Sequence, residues 1–567
     1  MTRNLFITVL ATILVACSAK ETEFEETLGG WKNPEGAAQQ LSLEEYNRLP
    51  PDKQFMVVNN LLGTLYKGVP ANEFFDLSKG MKPLTVASDK KNYFAQIATS
   101  LNISVPSGDY KPPVETAAGT ATDNKDGLLN ENQKQLEPVK NVGFYNFKMN
   151  QKNLFNDNLR QKGEPLALIS TYPISRDAFD AWIAYRLANT ILFSPAEEID
   201  STDSRDVDFV YSRLRTGLAQ NKTISEIIYA HELSESNWRR FRSPEDNTRE
   251  MIEIYLGLFD RDADVPKASV ACKNWSLSDA NDSVQGRYRL VIDDLNANTE
   301  PQQVLGQYVT TCEEFYALIA NHPLVVPRMT NFIVDQFFPD YPVEKRAAIV
   351  DSILQTNPTT FQEVFAGIIF SKEYLLNNIR MYNYEEAYFG LGDRISLNRY
   401  ERAIESKVND DAGLSLARMG QPAFSLKLGR FKDQPANSQN FMAYFKSLRL
   451  EVFGLTNSIT STSVRDSGGN GDSNGGFWSR SFVESVYYDL NEEEFLDYVL
   501  MSLILRRATD EEKNAFLNKE DGLFLSIDND RNFDSESELL NNRIAKAKVL
   551  MEYVLRLPEL YYLGKGV

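Results

Sequence analysis

The densest group of side chains that could do chemistry lies between residues 245 and 264. Its members could serve as general acid, general base or ligand, and they are Glu245, Arg249, Glu250, Glu253 and Asp264. A spacing of four residues places Arg249 between Glu245 and Glu253 on one helix face. If the acids converge in a pocket, the set suits a hydrolase or a metal-dependent enzyme. On an exposed helix the same spacing forms a ladder of surface salt bridges, which is the plainer interpretation.

Few other residues offer catalytic or metal-binding chemistry. The chain contains 2 His and 3 Cys, too few for most His- or Cys-ligated metal sites and for most triad enzymes. His231 and Glu232 begin the zinc pattern H-E-x-x-H, but Glu235 occupies the position of the second His. We therefore predict a helix-packing role for His231, and we predict neither a metal nor a cofactor.

Helices must position these residues. Ser243 or Pro244 can begin one, so that Glu245 and Asp246 fall in its first turn, where the helix dipole favours anions. Elsewhere apolar residues recur at helical spacing, and the alternation typical of strands is rare. The predicted fold is mainly α, a multi-helix bundle or bundles with long irregular loops.

One helical pattern occurs three times. Residues 223–234 align without gaps on residues 360–371, and residues 491–502 form a looser third copy. Each copy begins with an N-cap residue, has an acid three residues later, and continues as an apolar stripe that ends at Ser. The pattern favours one helical unit reused in a bundle, although unrelated capped helices would also produce it.

Three ordered motifs carry a family resemblance. Residues 245–255 are similar to a P-N-E-N-x-A-R-E-L-M-E-L-F signature, and residues 264–275 to a D-V-x-x-A-A-R-A-L-T-G-W segment. Residues 321–374 resemble a closing stretch of H-P, F-I, a phenylalanine pair and S-P-E-F. These motifs resemble a large exported bacterial family, catalogued as domain of unknown function eighteen hundred. That family has no established reaction, so the resemblance implies an exported, helix-rich protein.

The N-terminus predicts export and lipidation. Arg3 precedes the almost wholly apolar run Leu5–Ala16, and Leu14–Cys17 reads as a bacterial lipobox. The run of about 12 residues is shorter than the about 20 that span a bilayer, so a cleaved signal peptide is favoured over a transmembrane helix. Cleavage would leave Cys17 as an acylated N-terminus. Ser18 follows it, as in lipoproteins of the outer membrane, which is the predicted location, on either its periplasmic or its exterior side.

The two remaining cysteines are Cys272 and Cys312. Because exported proteins meet oxidising conditions, we predict a disulfide between them. The alternative is a pair of buried free thiols.

Composition divides the chain into segments. They are a signal peptide at 1–16, an acidic tether at 17–40, an N-terminal helical region at 41–105, a low-complexity linker at 106–142, a central helical domain resembling the family at 143–384, and a C-terminal helical domain at 385–567 with a Gly-rich loop at 466–476.

The charge balance and these segments lead to two hypotheses about function. The net charge of -19 argues against nucleic-acid binding. The first hypothesis is a non-catalytic interaction or scaffold protein, whose partners are the membrane, through its lipid anchor, and a protein or an extracellular polysaccharide. The second is an unrecognised periplasmic or surface hydrolase or metal-dependent enzyme that uses the acids between residues 245 and 264. The first predicts an exposed apolar or aromatic patch, and the second a pocket where at least two of those acids meet.

Overall fold

The computed structural model describes most of the chain. The described residues are 24–84, 92–106, 169, 174–192, 205–241, 243–278, 289–395, 438–453, 455, 481–484, 486, 489–529 and 535–564. The predicted signal peptide, the predicted lipidation site Cys17, the linker from residue 107 onward and the Gly-rich loop at 466–476 lie outside these residues. Among the described helices, none combines the length and the hydropathy that a membrane span requires.

The fold is mainly α, which confirms the predicted class. The α-helices are α1 (Leu43–Arg48), α2 (Pro51–Thr64), α3 (Tyr93–Leu101), α4 (Arg176–Ala188), α5 (Arg205–Ala219), α6 (Ile224–Glu232), α7 (Glu235–Arg240), α8 (Pro244–Glu250), α9 (Val265–Ala271), α10 (Cys312–Ala320), α11 (Val325–Phe337), α12 (Val343–Leu354), α13 (Phe361–Ile369), α14 (Leu391–Arg394), α15 (Ser438–Ser447), α16 (Ser481–Glu484), α17 (Glu492–Ile504), α18 (Asp510–Leu517), α19 (Leu523–Asn529) and α20 (Glu536–Val554). Wider π-helical turns occur at Met251–Tyr255, Glu373–Asn377, Glu386–Gly390 and Leu448–Val452.

Short strands pair in antiparallel hairpins and bridges. The pairs are β1 (Phe75–Asp76) with β2 (Lys82–Pro83), β3 (Trp275–Leu277) with β4 (Leu290–Ile292), β5 (Gln302–Val304) with β6 (Gln307–Val309), and β7 (Arg380–Met381) with β8 (Tyr562–Leu563). The last pair joins segments far apart in sequence, so the central and C-terminal regions contact each other directly.

The three similar helices begin where the sequence predicts. Thr223, Thr360 and Asn491 each accept a hydrogen bond from the backbone N–H three residues later, and the Glu at that position accepts one from the cap residue's own N–H. Each pairing satisfies amide donors that a helix start otherwise leaves without partners. The predicted caps of α6, α13 and α17 are therefore confirmed. The descent of these helices from one repeated unit stays a prediction.

The aromatic core surrounds α4. Its Trp182 is fully buried, with ring centroids 5.3 Å from Phe365 of α13 and 6.2 Å from Phe337 of α11. Phe179, one helical turn away, stacks on the same indole at 5.7 Å. Buried aromatic side chains contribute large apolar areas and favour these tilted and edge-to-face contacts. α4, α11 and α13 thus form the centre on which the candidate site is supported.

Part of the predicted acidic tether packs on this body. The backbone N–H of Ala38 donates to Oγ of Ser352 on α12 at 3.0 Å, and Nε2 of Gln40 donates to the carbonyl of Gly367 on α13 at 2.8 Å. Trp31 is buried, with its ring centroid 4.7 Å from that of Phe370. Residues 24–40 therefore differ from the free tether predicted over 17–40. The sequence indicated a tether because this stretch is polar, but its few apolar and amide side chains are enough to dock it.

Candidate functional site

Helix α8 positions the charged residues that the sequence singles out. Ser243 caps it by accepting a hydrogen bond from the N–H of Asp246, and Pro244 is its first residue, as predicted. Nη2 of Arg249 lies 3.4 Å from Oε1 of Glu245, the predicted i,i+4 partner. The structure therefore brings these two members of the predicted set together on one helix face.

The second carboxylate that Arg249 contacts is Asp262, at 2.5 Å from its Nη1, rather than the expected Glu253. Glu253 lies in the π turn Met251–Tyr255 that continues α8. A π turn holds more residues per turn than an α-helix, so Glu253 is rotated away from the line through Glu245 and Arg249. The Arg249 side chain remains 35% exposed and its two acidic partners are more exposed still, so the geometry is that of a surface ladder.

The other predicted residues lie apart from this ladder. Glu250 ends α8 and is half-buried, whereas Asp264 precedes α9 with an oxygen 3.8 Å from Nζ of Lys267. In the part of the chain that the structure describes, no group of three or more His, Cys, Asp or Glu side chains is arranged to hold a metal ion.

Cys272 and Cys312 form a disulfide, which confirms the predicted pair. Cys272 directly follows α9, and Cys312 begins α10. We call residues 265–320 the disulfide module; the structure describes all of it except residues 279–288. Within the module α9 packs on β5, and α10 packs on β6. The module contacts the body through α9 against α8 and through α10 against α6.

The disulfide module exposes aliphatic side chains on its β3–β4 hairpin. Val291 and Ile292 of β4 are 42% and 46% exposed, and Leu295 in the following 3-10 turn is 96% exposed. We call these three residues the exposed apolar trio. In the hairpin Ile292 pairs with the buried Trp275 and shares its face, whereas Val291, its neighbour along β4, lies on the opposite face, so both faces of β4 carry an exposed aliphatic side chain. Isolated exposed apolar residues are ordinary, but three within residues 291–295 of one hairpin and the turn after it make this stretch a candidate interaction surface.

A carboxyl group outside the set predicted between residues 245 and 264 lies where the module meets the body. Glu232 ends α6 and is completely buried, and neither of its side-chain oxygens has a hydrogen-bond partner among the described residues. Burial raises the pKa of this carboxyl well above its ordinary value of 4.5, because a charge in an apolar surrounding is disfavoured. Burial therefore favours the neutral form of the Glu232 carboxyl.

His231 is buried beside it on the same helix. Neither of its ring nitrogens has a hydrogen-bond partner among the described residues. Burial, together with the positive charges of Arg213 and Arg240, lowers the pKa of this imidazole well below 6.5. The predicted helix-packing role agrees with this placement. His231 and Glu232 therefore carry opposite pKa shifts, both caused mainly by burial.

Polar and aromatic residues of both the module and the body surround Glu232. Asn237 donates from Nδ2 to the Glu232 carbonyl at 3.3 Å, and Tyr316 of α10 donates its hydroxyl hydrogen to Oδ1 of Asn247 at 2.7 Å. Tyr255, in the π turn, interacts electrostatically with the Glu232 carboxyl, as does Tyr316. We call these five residues the Glu232 cluster.

Within the cluster, further polar atoms lack partners among the described residues. They are Oδ1 of Asn237, Nδ2 of Asn247 and the Tyr255 hydroxyl. Buried polar groups are nearly always paired, so this group is an exception. Trp275 of β3 covers it from the module side, with ring centroids 5.9 Å from Tyr316 and 5.6 Å from Trp238 of α7.

A sequence signal for Glu232 exists in the repeated helix. In the ungapped alignment of residues 223–234 with residues 360–371, Glu232 stands where the second copy has Ile369. Ile369 is fully buried in α13. An acid at the position of a core isoleucine indicates a buried ionisable side chain, and such a side chain is a candidate for function.

No family model, curated protein or solved structure matches the chain. Membership in the exported family that residues 245–255, 264–275 and 321–374 resemble therefore stays a prediction.

Proposed function

We propose that the chain is a lipid-anchored, non-catalytic binding protein of the outer membrane, which holds an exported protein partner through the exposed apolar trio. The observation that carries this proposal is the exposure of Val291, Ile292 and Leu295 on one short hairpin and the turn after it. At about 25 cal/mol per Å² of apolar surface removed from water, covering such side chains favours association.

The chemistry of the trio favours a protein over a polysaccharide. Sugars are held mainly on aromatic faces and by hydrogen bonds, whereas Val, Ile and Leu match the apolar centre of a protein interface. Asp293 and Asp294 adjoin the trio, and the whole chain carries a net charge of -19. A complementary partner surface therefore presents apolar side chains next to basic ones, which speeds encounter and selects the partner.

The module is suited to binding because its hairpin is held in place before a partner arrives. The disulfide joins the ends of α9 and α10, and Trp275 fixes β3 between Trp238 and Tyr316. A surface that is ordered in advance loses little conformational entropy on association.

The proposed location depends on the N-terminal sequence. The apolar run before Cys17, and Ser18 after it, support acylation and sorting to the outer membrane. One lipid chain gives only marginal anchoring, and the two or more of a bacterial lipoprotein give stable anchoring.

The test compares copurification of membrane proteins with the intact lipoprotein and with two variants. Ile292→Ser combined with Leu295→Ser removes most of the trio's apolar surface. The control is Val343→Ser at the start of α12, where an aliphatic side chain is 66% exposed outside the module. We expect a stoichiometric protein to copurify with the wild type and with the control, and to be lost from the double variant.

Retention of that protein by the double variant would contradict the proposed surface. A glycan as the stoichiometric companion, in place of a protein, would favour the polysaccharide alternative and overturn the choice of partner. Raised salt should weaken the complex, because exposed charges are screened within about 8 to 10 Å at physiological ionic strength.

A further inference from the structure

Glu232 lies between two parts of the molecule. Its own helix, α6, belongs to the body and packs directly on α10 of the disulfide module. Tyr316 of α10 and Tyr255 of the body both interact electrostatically with its carboxyl. The carboxyl is fully enclosed and neither oxygen has a hydrogen-bond partner among the described residues. Separation of the module from α6 would expose this group to water.

We infer that opening of the disulfide module away from α6 is coupled to the loss of a proton from Glu232, because the enclosed carboxyl without a hydrogen-bond partner among the described residues meets water only when the two parts separate. Opening displaces the hairpin that carries the exposed apolar trio, and it would therefore change binding of a partner. Only this effect on binding rests on the proposed function. The opening itself requires no partner.

The proton balance of the opening step follows from the surroundings of the carboxyl. In the closed form Glu232 keeps its O–H bond, because the ionised form would be a buried charge without a compensating partner. In the open form the carboxyl is hydrated and ionises with its ordinary pKa of 4.5. The O–H bond breaks, the electron pair stays on the carboxylate, and the proton passes to water. The opening constant is the ratio of the open form to the closed form at equilibrium. In a pH range where the closed form keeps this proton and the open form has lost it, the opening constant rises tenfold per pH unit.

His231 contributes with the opposite sign. Burial keeps it neutral in the closed form, and once exposed it binds a proton below its ordinary pKa of 6.5. Between about pH 4.5 and 6.5 opening therefore releases one proton from Glu232 and takes up one at His231, so the two effects cancel. Above pH 6.5 His231 is neutral in both forms, and the release from Glu232 alone remains.

The other groups around Glu232 do not titrate in this window. Burial raises the pKa of the Tyr255 and Tyr316 hydroxyls, and exposure would return them only to about 10. Arg240 on α7 interacts with Tyr255 and His231, and it stays charged throughout.

Three more charged groups face the cluster from neighbouring elements. Arg213 of α5 interacts electrostatically with His231. Glu250 of α8 interacts with Tyr255. Glu313 of α10 interacts with Tyr316 on the same helix. Above pH 6.5 His231 is neutral in both forms and adds no pH dependence of its own. The range above pH 6.5 therefore isolates Glu232.

The experiment is amide hydrogen exchange of the intact chain from pH 6.5 to 8.5, followed in peptides from α6, β3 and α10. Each rate is divided by the intrinsic exchange rate at that pH, which leaves the opening constant. We expect it to rise with pH in the wild type, by at most tenfold per pH unit. In Glu232→Gln, which mimics the neutral acid, it should be independent of pH. Peptides from α17 and α20 serve as the internal control and should stay flat in both proteins.

A second variant keeps the inference testable if Glu232→Gln does not fold. His231→Gln should leave the slope above pH 6.5 unchanged and extend the rise down to about pH 4.5, because the compensating proton uptake is gone. A flat wild-type profile, or an equal slope in Glu232→Gln, would overturn the inference. These exchange data need no partner. A failure of the proton-coupled opening can therefore be distinguished from a failure of the proposed binding surface.

Discussion

Arg380 and Glu386 face each other through two buried hydrogen bonds, from Nη1 to Oε2 at 2.7 Å and from Nη2 to Oε1 at 2.8 Å. The pair connects β7 to the π turn Glu386–Gly390, and the Arg380 guanidinium also donates to the hydroxyl of Tyr374. Both side chains are almost completely enclosed. Removal of Arg380 would leave the buried Glu386 with only the backbone N–H of Asn383 at 3.0 Å and Arg186 at 3.9 Å, and breaking a buried pair costs far more than losing a surface pair.

We therefore expect Arg380→Met to lower the free energy of unfolding by about 3 to 5 kcal/mol. Urea denaturation followed by circular dichroism measures the change. Adding Glu386→Gln to that variant should not restore the loss, because it removes the carboxylate that faces the buried Arg186 at 3.9 Å. A loss below about 1 kcal/mol for Arg380→Met, within the range of exposed pairs, would show that the pair is not desolvated in solution.

Arg249→Ala is the matched comparison on the surface ladder. Arg249 contacts Glu245 and Asp262, but all three side chains are in contact with water. We expect the urea midpoint to stay within experimental error of the wild type and copurification of a partner to be unaffected. A large loss of stability would mean that the ladder is covered in solution, and would bring back the pocket that the enzyme hypothesis requires.

Removing the disulfide should weaken the module. The bridge closes a loop with a sequence separation of 40 residues. On the chain-entropy model we expect Cys272→Ala with Cys312→Ala to lower the free energy of unfolding by about 4 kcal/mol. Urea denaturation of the variant is compared with that of the wild type in reducing buffer, which should unfold at a similar midpoint. An unchanged midpoint in both would contradict a bridge in the exported protein.

Replacing Glu232 should change stability in a pH-dependent manner. Because burial raises the pKa of Glu232 above 4.5, its contribution to stability is fully present below that pH and is lost as the pH rises. The difference between Glu232→Gln and the wild type should therefore grow in favour of the variant as the pH rises, by at most about 1.4 kcal/mol per pH unit. Urea denaturation at pH 5 and pH 8 measures it. An equal stability difference at pH 5 and pH 8 would show that the Glu232 carboxyl is in contact with water in the folded protein.

The lipid anchor is tested at Cys17. We expect wild-type protein to sediment with membranes and to incorporate labelled palmitate, and Cys17→Ser to do neither. The matched control is Ser18→Ala, which retains the cysteine. Identical fractionation of the wild type and Cys17→Ser, without label in either, would remove the outer-membrane assignment.

Local chemistry explains what the sequence predicted well. Thr223 and Glu226 satisfy each other's neighbouring amides within one turn, so the start of α6 is encoded in adjacent residues. The disulfide followed from the number of cysteines and the predicted compartment. The burial of Glu232 was not predicted, because it depends on α10 folding back across α6. Likewise, Asp262 reaches Arg249 only because a loop follows the π turn, and no helical spacing indicates that contact.

The docking of residues 24–40 has a consequence for how closely the protein approaches a lipid surface. Seven residue steps separate Cys17 from Phe24, and at about 3.5 Å per residue they reach at most about 25 Å, less than the roughly 30 Å thickness of a bilayer's hydrocarbon core. An acylated Cys17 would keep Phe24, where the docked segment begins, within about 25 Å of the headgroups. The molecule's freedom to tumble would then be limited, and large companions would have to arrive from the side facing away from the bilayer.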